Sequence, residues 1–431
     1  MKERILLALK KLKISEYVIN ISRIKSVQLF FVKKTLDSKR SEDTLSIDVT
    51  VFNSFSKNGK DMKGSASVHI YDGMTDAEID DVLRSAYLAA SYVNNPAYEL
   101  QEKTENTYIE MPSDLNGKRL DECADIMTKA LFAEDHNDKV FLNSAELFVY
   151  EKDVRILTSN GIDCGYKKRY ISGEFVAQCR NPQDVETYAS FRYKGLETDS
   201  LRNKVKKILD YTLSRAEARI APKAGNYRVI IGDSFIKSVF DYYIGRANAN
   251  YIYAGYSSFK LGENVQGKNA EGNPADVTGD RISISLVAGE PFSGEGTPQK
   301  DRVLMKEGVL KTYHGGVRFS RYIGVEPTGF YSQIKVDAGS VSLEEMKKKP
   351  YLHVVNFSDF QMDDFTGHFG GEIRLAFLYD GEKITPVTGG SINGSLLDAQ
   401  TNILLSKELQ KEEDYEGPAA ICFENVAVAG E

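Results

Sequence analysis

Tyr227–Arg246 reads YRVIIGDSFIKSVFDYYIGR, and the organisation of the chain can be worked outward from it. Val229, Ile230 and Ile231 form a short β-branched run, the pattern of a buried strand. Gly232-Asp233-Ser234 breaks that run. Apolar residues then recur at Phe235, Ile236, Val239, Phe240, Tyr243 and Ile244, the stripe of one helix face. The stretch therefore predicts a strand, a tight turn and a helix, with Asp233 or Ser234 as the N-cap.

Composition changes just upstream. Only 8 of the 34 glycines precede residue 221, and Ala221-Pro222-Lys223-Ala224-Gly225 marks the join. A chain of 431 residues is also too long for one compact core. We expect an N-terminal domain over 1–220 and a Gly-rich, strand-dominated C-terminal domain over 221–431.

The first domain reads as α+β, an antiparallel sheet with helices. Residues 2–13 predict a helix, and strand-like runs follow at 17–22, 27–33, 45–55 and 64–71. In the third run Ile47, Val49 and Val51 alternate with polar residues, the period of a half-buried strand. Thr75-Asp76-Ala77-Glu78 is a capping box. It opens a helix that Asn94-Asn95-Pro96 stops. A second helix is expected around 118–131, and residues 139–179 read as strands joined at Ser159-Asn160-Gly161. Helices are expected at about 183–194 and 199–219. The second of these carries Arg202, Lys204, Lys206 and Lys207, which we expect on a solvated face.

In the C-terminal domain Lys306-Glu307-Gly308 and Asp380-Gly381 divide pairs of strand-like runs, as hairpin turns do. Ser342-Leu343-Glu344-Glu345 caps a short helix. Leu396–Leu409 predicts a last helix and Ala419–Val428 a closing strand.

The totals exclude several classes. A net charge of −7 argues against a general binder of nucleic acid or anionic membrane. Apolar residues at 42% and charged residues at 27% suit a globular domain. No apolar run approaches the ~18 residues of a membrane span. The N-terminal MKERILLALKKLKI is amphipathic and lacks the features of a signal peptide. Cys123, Cys164, Cys179 and Cys422 are not spaced as zinc ligands, and buried free thiols in the cytoplasm are expected.

The order of motifs resembles the TldD/PmbA (TldE) family, the "modulator of DNA gyrase" metallopeptidases, over nearly the whole chain. The resemblance is carried by VIIGDS at 229–234, GEGTP at 294–298 and KEGVL at 306–310. It is carried too by PTGF at 327–330, DGEKITPVTGGSINGS at 380–395 and the closing ENVAVAGE. The NNP-terminated helix and the ILTSNG hairpin support it. In the TldD branch the resemblance implies HExxGH on the helix after the strand and a cysteine near the C-terminus, together holding a catalytic metal. The PmbA/TldE branch lacks these groups. Matching Gly232 and Gly245 to the family's glycines puts Asp241 and Arg246 at the histidine positions and Tyr242 at the glutamate. No shift of register supplies imidazoles, because no histidine lies between His136 and His314. Cys422 falls inside the predicted last strand, whereas the family's cysteine precedes it.

A catalytic zinc needs about three protein ligands and a carboxylate that moves protons. An acid, a phenol and a guanidinium do not supply them. The sequence thus predicts no catalytic residue, no metal and no cofactor, with Asp241, Tyr242, Gly245 and Arg246 as a degenerate site. Asp241 and Arg246 could pair across the vacated position if Gly245 ends the helix. Gly294, Glu295, Gly296, His314 and His368 are candidate groove residues, since Gly-rich loops let backbone approach a ligand. His314, His353 and His368 could alternatively form a remote metal site, while His69 and His136 read as packing and loop residues. The resemblance implies a non-catalytic subunit of a TldD-like peptidase. It would act as a heterodimer or a homodimer and bind peptide or unfolded protein. The alternatives are an independent metallopeptidase with atypical ligands, or an adaptor for gyrase or toxin–antitoxin components.

Overall fold

A computed structural model describes residues 1–412 and 414–430; Glu413, and Glu431 at the end of the ENVAVAGE motif, lie outside the described residues. The chain begins with α1 (Lys2–Lys11), β1 (Glu16–Val32), β2 (Thr35–Lys57), β3 (Lys60–His69) and α2 (Asp76–Ala90). It continues with β4 (Tyr108–Glu110), α3 (Leu120–Leu131), β5 (Val140–Thr158), β6 (Asp163–Cys179), β7 (Val185–Tyr193) and α4 (Thr198–Glu217). These strands make one sheet in the order β3-β2-β1-β5-β6-β4, with β7 also paired to β6.

The predicted capping box is present: Thr75 accepts from the Glu78 amide, and the Glu78 side chain accepts from the Thr75 amide. Two predicted runs, 17–22 and 27–33, are a single strand. The polar residues between them pair without interruption with both β2 and β5. Ladder hydrogen bonds do not depend on side-chain polarity, so the polar gap in the pattern is not a gap in the strand.

The predicted helix at 183–194 is strand β7. Thr187, Ala189 and Phe191 are buried while Glu186, Tyr188 and Arg192 are exposed, the alternation of a strand rather than a helix. Pairing with β6 from Val185↔Cys179 to Tyr193↔Ile171 fixes that period.

The second half opens with β8 (Gly225–Gly232), a single 3-10 turn at Asp233–Phe235, and α5 (Ile236–Arg246). Then follow α6 (Ala249–Tyr253), β9 (Ile284–Val287), β10 (Arg302–Lys306), β11 (Val309–Leu310), α7 (Val317–Tyr322), β12 (Gln333–Val336) and α8 (Leu343–Met346). The chain ends through β13 (Tyr351–Met362), β14 (His368–Tyr379), β15 (Ile384–Val387), β16 (Ser391–Ser395) and α9 (Leu396–Ala399). Last come β17 (Leu404–Leu405), β18 (Leu409–Glu412), β19 (Tyr415–Pro418) and β20 (Ala420–Ala429). One sheet runs β11-β10-β9-β12-β19-β18. The other runs β13-β8-β20-β16-β14-β15, and β13 also pairs with β14, so five of its strands close into a ring.

Helix α5 plugs this second half. Ile236, Val239, Phe240, Tyr243 and Ile244 bury against Val229, Ile231, Val354 and Phe423 from the ring. The expected last helix over 396–409 stops after four residues, because Leu404 and Leu405 pair with β20 instead. The two halves meet where Phe292 packs with Val18 and Ile156 of the first sheet and with Ile162 in the turn between β5 and β6. Among the described residues, no helix is long and apolar enough to cross a membrane.

Candidate functional site

Helix α5 begins without the expected cap. Asp233 sits in the left-handed region at φ 59°, inside the 3-10 turn, and no side chain caps the helix. Its carboxylate instead takes Lys207 Nζ and, at 3.2 Å, the Tyr211 hydroxyl, both on α4. Lys207 and Lys204 therefore do not lie on a solvated face. Lys204 Nζ reaches Glu412 at 2.5 Å, and its side chain is 12% exposed.

At the other end of α5 stand the four positions singled out by sequence. Asp241 does not pair with Arg246. Its carboxylate accepts from Lys237 Nζ at 2.9 and 3.1 Å. A spacing of four places the two side chains on one helix face, whereas a spacing of five does not. Arg246 donates Nη1 to the Tyr256 carbonyl and lies over the Tyr242 and Phe259 rings, at 5.9 and 5.7 Å from their centroids. Tyr242 is 3% exposed, edge-on to Tyr243 and Phe259. Burial pushes its phenol above the usual range, against the opposing pull of Arg246.

The turn between β13 and β14 leans on this end of the helix. A Cβ at Gly245 would come within 3.2 Å of Asp364 Oδ2, so the glycine admits that carboxylate. Burial, then neighbouring Asp241, raises the Asp364 carboxyl. Phe365 stacks on Tyr251 at 5.2 Å and meets Tyr256 edge-on. Asp363 Oδ1 holds the turn by accepting from the Phe365 and Thr366 amides, each at 2.8 Å.

This donor set does not fit a catalytic divalent metal. It offers two carboxylates, one already paired and one partly buried, with a buried neutral phenol and a fixed cation beside them. Zinc sites use imidazole, thiolate or carboxylate donors converging on one point. Among the described residues no three of His, Cys, Asp and Glu come together as a metal-holding group.

The histidines are scattered. His314 is 3% exposed, and its Nε2 donates to the Ile244 carbonyl at 2.8 Å, which fastens the last turn of α5. Nδ1 is then a buried acceptor without a partner, and burial depresses the ring's pKa. His353 lies on β13 near Gly232, pushed down to about 4 by burial and by Lys347, with Asp233 pulling the other way. His368 opens β14 and lines a shallow surface groove with Asp359, Gln361 and Asn393.

The Gly294–Gly296 loop lies at the junction of the two halves. Asn20 Nδ2 donates to the Gly294 carbonyl at 3.0 Å, and Thr297 Oγ1 donates to Gln101 at 3.1 Å. Gly296 sits at φ 79°, and a Cβ there would crowd the Ile162 side chain at 3.0 Å. Glu295 accepts from the Val317 amide at 2.8 Å, and burial raises its carboxyl.

Sequence reasoning missed a cleft of about 670 Å³ between the halves, the size of a small-ligand site. Five successive residues of β7, from Glu186 to Ser190, line one side, and four of β13, from Val355 to Ser358, line the other. Successive side chains on a strand point to opposite faces, so the cleft meets both strands side-on: β7 is an edge strand, and β13 here stays paired with β14 but has passed its pairing with β8, which ends at Val354. Lys204, Lys207 and Arg215 of α4, the turn at Asp233 and Arg374 of β14 complete it. Reading β7 as a helix hid this edge. The only available signal was the period-two pattern of Val185, Thr187, Ala189 and Phe191.

Comparison with known proteins places this geometry in context. Residues 224–430 match a family model described as the PmbA/TldA metallopeptidase C-terminal domain. An uncharacterized protein of Methanocaldococcus jannaschii is 22% identical over 267 residues, covering 57% of this chain and 59% of that protein. A metalloprotease TldD homolog of Buchnera aphidicola is 24% identical over 238 residues, covering 51% of this chain and 48% of that one. The chain thus spans about half the length of the curated relatives it matches. Two solved structures share the fold end to end. TldE from Thermococcus kodakarensis superposes with a TM-score of 0.77 at 16% identity, covering 100% of both chains. A protein of Thermotoga maritima described as a modulator of a DNA gyrase superposes with a TM-score of 0.75 at 18% identity, covering 99% of both.

Proposed function

The chain belongs to the TldD/PmbA family, and we propose that within it this protein is a non-catalytic, PmbA/TldE-type subunit. It binds peptide or unfolded protein for a TldD-like partner that carries the metal. One observation carries the reading: Tyr242 is buried at 3% exposure and Arg246 is tied to the Tyr256 carbonyl, where the family's catalytic helix presents its reacting groups. A buried phenol near its neutral form is no base at ordinary pH. A guanidinium at the same end of the helix repels a dication.

What remains is a binding role. The cleft of about 670 Å³ between β7 and β13 is lined by successive residues of both strands, which suits an extended segment with part of its length in the cleft. Assembly with a TldD-like chain, or with a second copy, then brings a held segment to the metal. The four free, buried cysteines suit a reducing cytoplasm.

The test is copurification with a HExxGH-bearing relative from the same genome, followed by peptide hydrolysis. The isolated chain is expected to hold well under one equivalent of zinc and to cleave nothing; the pair cleaves, and chelator stops it. Stoichiometric zinc on the isolated chain, or chelator-sensitive hydrolysis by it alone, sinks the proposal. Capture of gyrase or a toxin–antitoxin component in place of a peptidase favours the adaptor reading.

A further inference from the structure

The cleft between β7 and β13 carries a charge pattern that holding an extended chain does not require. Its lining includes four cations and three carboxylates. The carboxylates are engaged. Glu412 holds Lys204 at 2.5 Å and Lys207 at 3.7 Å, Asp233 holds Lys207, and Glu186 takes the Asn143 amide at 3.1 Å. Among the described residues the two arginines are less closely matched: Arg215 has no carboxylate in salt-bridge range, and Arg374 has one at the edge of it. Arg215 gives Nη1 to the backbone carbonyl of Glu186, and the like charge of Arg374 acts on it. Arg374 meets a carboxylate only at 3.7 Å, that of the exposed Glu372, which also accepts from Ser358 Oγ at 2.8 Å.

Like charges sharing a half-buried site destabilise each other, and an anion placed between them removes that cost. Burial, and then Arg374, depress the Arg215 pKa.

We propose that Arg215 and Arg374 form a subsite for the C-terminal carboxylate of a peptide lying in the cleft. This rests on the peptide-binding reading above. A guanidinium presents parallel N–H groups that match the two oxygens of a carboxylate. The subsite lies at the Glu186 end of the β7 edge, where Arg215 is tethered. Phe235, Val355 and Phe357 supply apolar wall for the side chains that precede the carboxylate.

The test measures binding of one fluorescent, unstructured peptide of about ten residues, free of acidic side chains, as its C-terminal acid and as its amide. The acid is expected to bind about tenfold more tightly, the scale of one charge-assisted contact. Arg374→Ala and Arg215→Lys should remove that preference while the amide binds as before. Arg374 is exposed, so its variant should keep the wild-type thermal midpoint. Equal binding of acid and amide overturns the carboxylate subsite and leaves peptide binding standing. A preference that survives both arginine variants also overturns the subsite. Displacement by inorganic phosphate, with acid and amide bound alike, assigns the arginines to a free oxyanion and overturns it too. Failure of both peptides to bind defeats this inference and the peptide-binding reading together.

Discussion

Two charged regions lie on either side of the turn at Gly232–Ser234, and they are finished differently. Around the end of α5, the helical charges have partners within the region: Asp241 has Lys237, and Arg246 has a carbonyl and two aromatic faces, although its Nε is buried without a hydrogen-bond partner among the described residues. In the cleft, Lys204 and Lys207 are matched by Glu412 and Asp233, but among the described residues Arg215 has no carboxylate in salt-bridge range and Arg374 has Glu372 no nearer than 3.7 Å. The first region has been closed by packing and pairing. The second keeps charge in reserve, as a surface awaiting an anion does.

The comparison breaks first at Tyr242. If that end of α5 is closed, it has no room for an ionised carboxylate. Tyr242→Glu, which reinstates the residue type that the resemblance implies for TldD-like chains, should destabilise the protein by about 3–5 kcal/mol, through lost ring packing and a buried charge. Urea denaturation reads this directly. A loss under about 1 kcal/mol would mean that the site is still open, and the contrast between the regions would fall.

The next effect tests the matched half of the cleft. Lys207 holds Asp233 and approaches Glu412. These partners raise the Lys207 pKa although burial opposes them. Lys207→Met should cost about 2 kcal/mol, chiefly because the Asp233 carboxylate stays behind without its ammonium. Arg374→Ala, by contrast, should leave stability within about 0.5 kcal/mol. Equal losses in the two variants would show that the cleft's cations are all structural.

A smaller, pH-dependent effect belongs to the hinge between the regions. His353 has its pKa lowered from 6.5 to about 4, by burial first and Lys347 second. The unfolded chain therefore takes up a proton that the folded chain refuses. Stability attributable to this ring is full above pH 6.5, declines as pH falls toward about 4, and is level below. His353→Gln should flatten that limb, by about 1–3 kcal/mol at its foot. An unchanged profile between pH 4 and 6.5 would show that the ring protonates freely in the folded state.

Much of this was legible in the sequence, and the failures have physical causes. The strand-turn-helix at Val229–Ile244 was readable because a buried strand and an amphipathic helix differ in apolar period. The hairpins at Gly308 and Gly381 were readable because both glycines need positive φ, and they have 82° and 108°. β7 was misread because its alternation is diluted by Tyr188, an apolar ring on the exposed face. Lys204 and Lys207 looked like a solvated face because their partners, Glu412 and Asp233, are remote in sequence. Gly294–Gly296 looked like a groove loop, since local sequence does not show that Asn20 and Ile162 will press against it.

The smallest effect is the sharpest check on how the α5 region is closed. Asp241 occupies the first position of the lost metal motif, yet its one strong contact is the i−4 partner Lys237, with side chains 38% and 28% exposed. Helical pairs of this kind contribute about 0.3–0.5 kcal/mol and weaken with salt. Asp241→Asn should therefore cost no more than that, and the cost should vanish at about 1 M salt, where the screening length is ~3 Å. It should also relieve the Asp364 carboxyl, whose pKa is raised by burial and then by Asp241. A shift of Asp364 toward the ordinary carboxylate range, followed by side-chain NMR, would place the two acids in one electrostatic unit. Should Asp241→Asn cost several times more, the residue is holding something stronger than a lysine, and this end of α5 would have to be counted with the open region rather than against it.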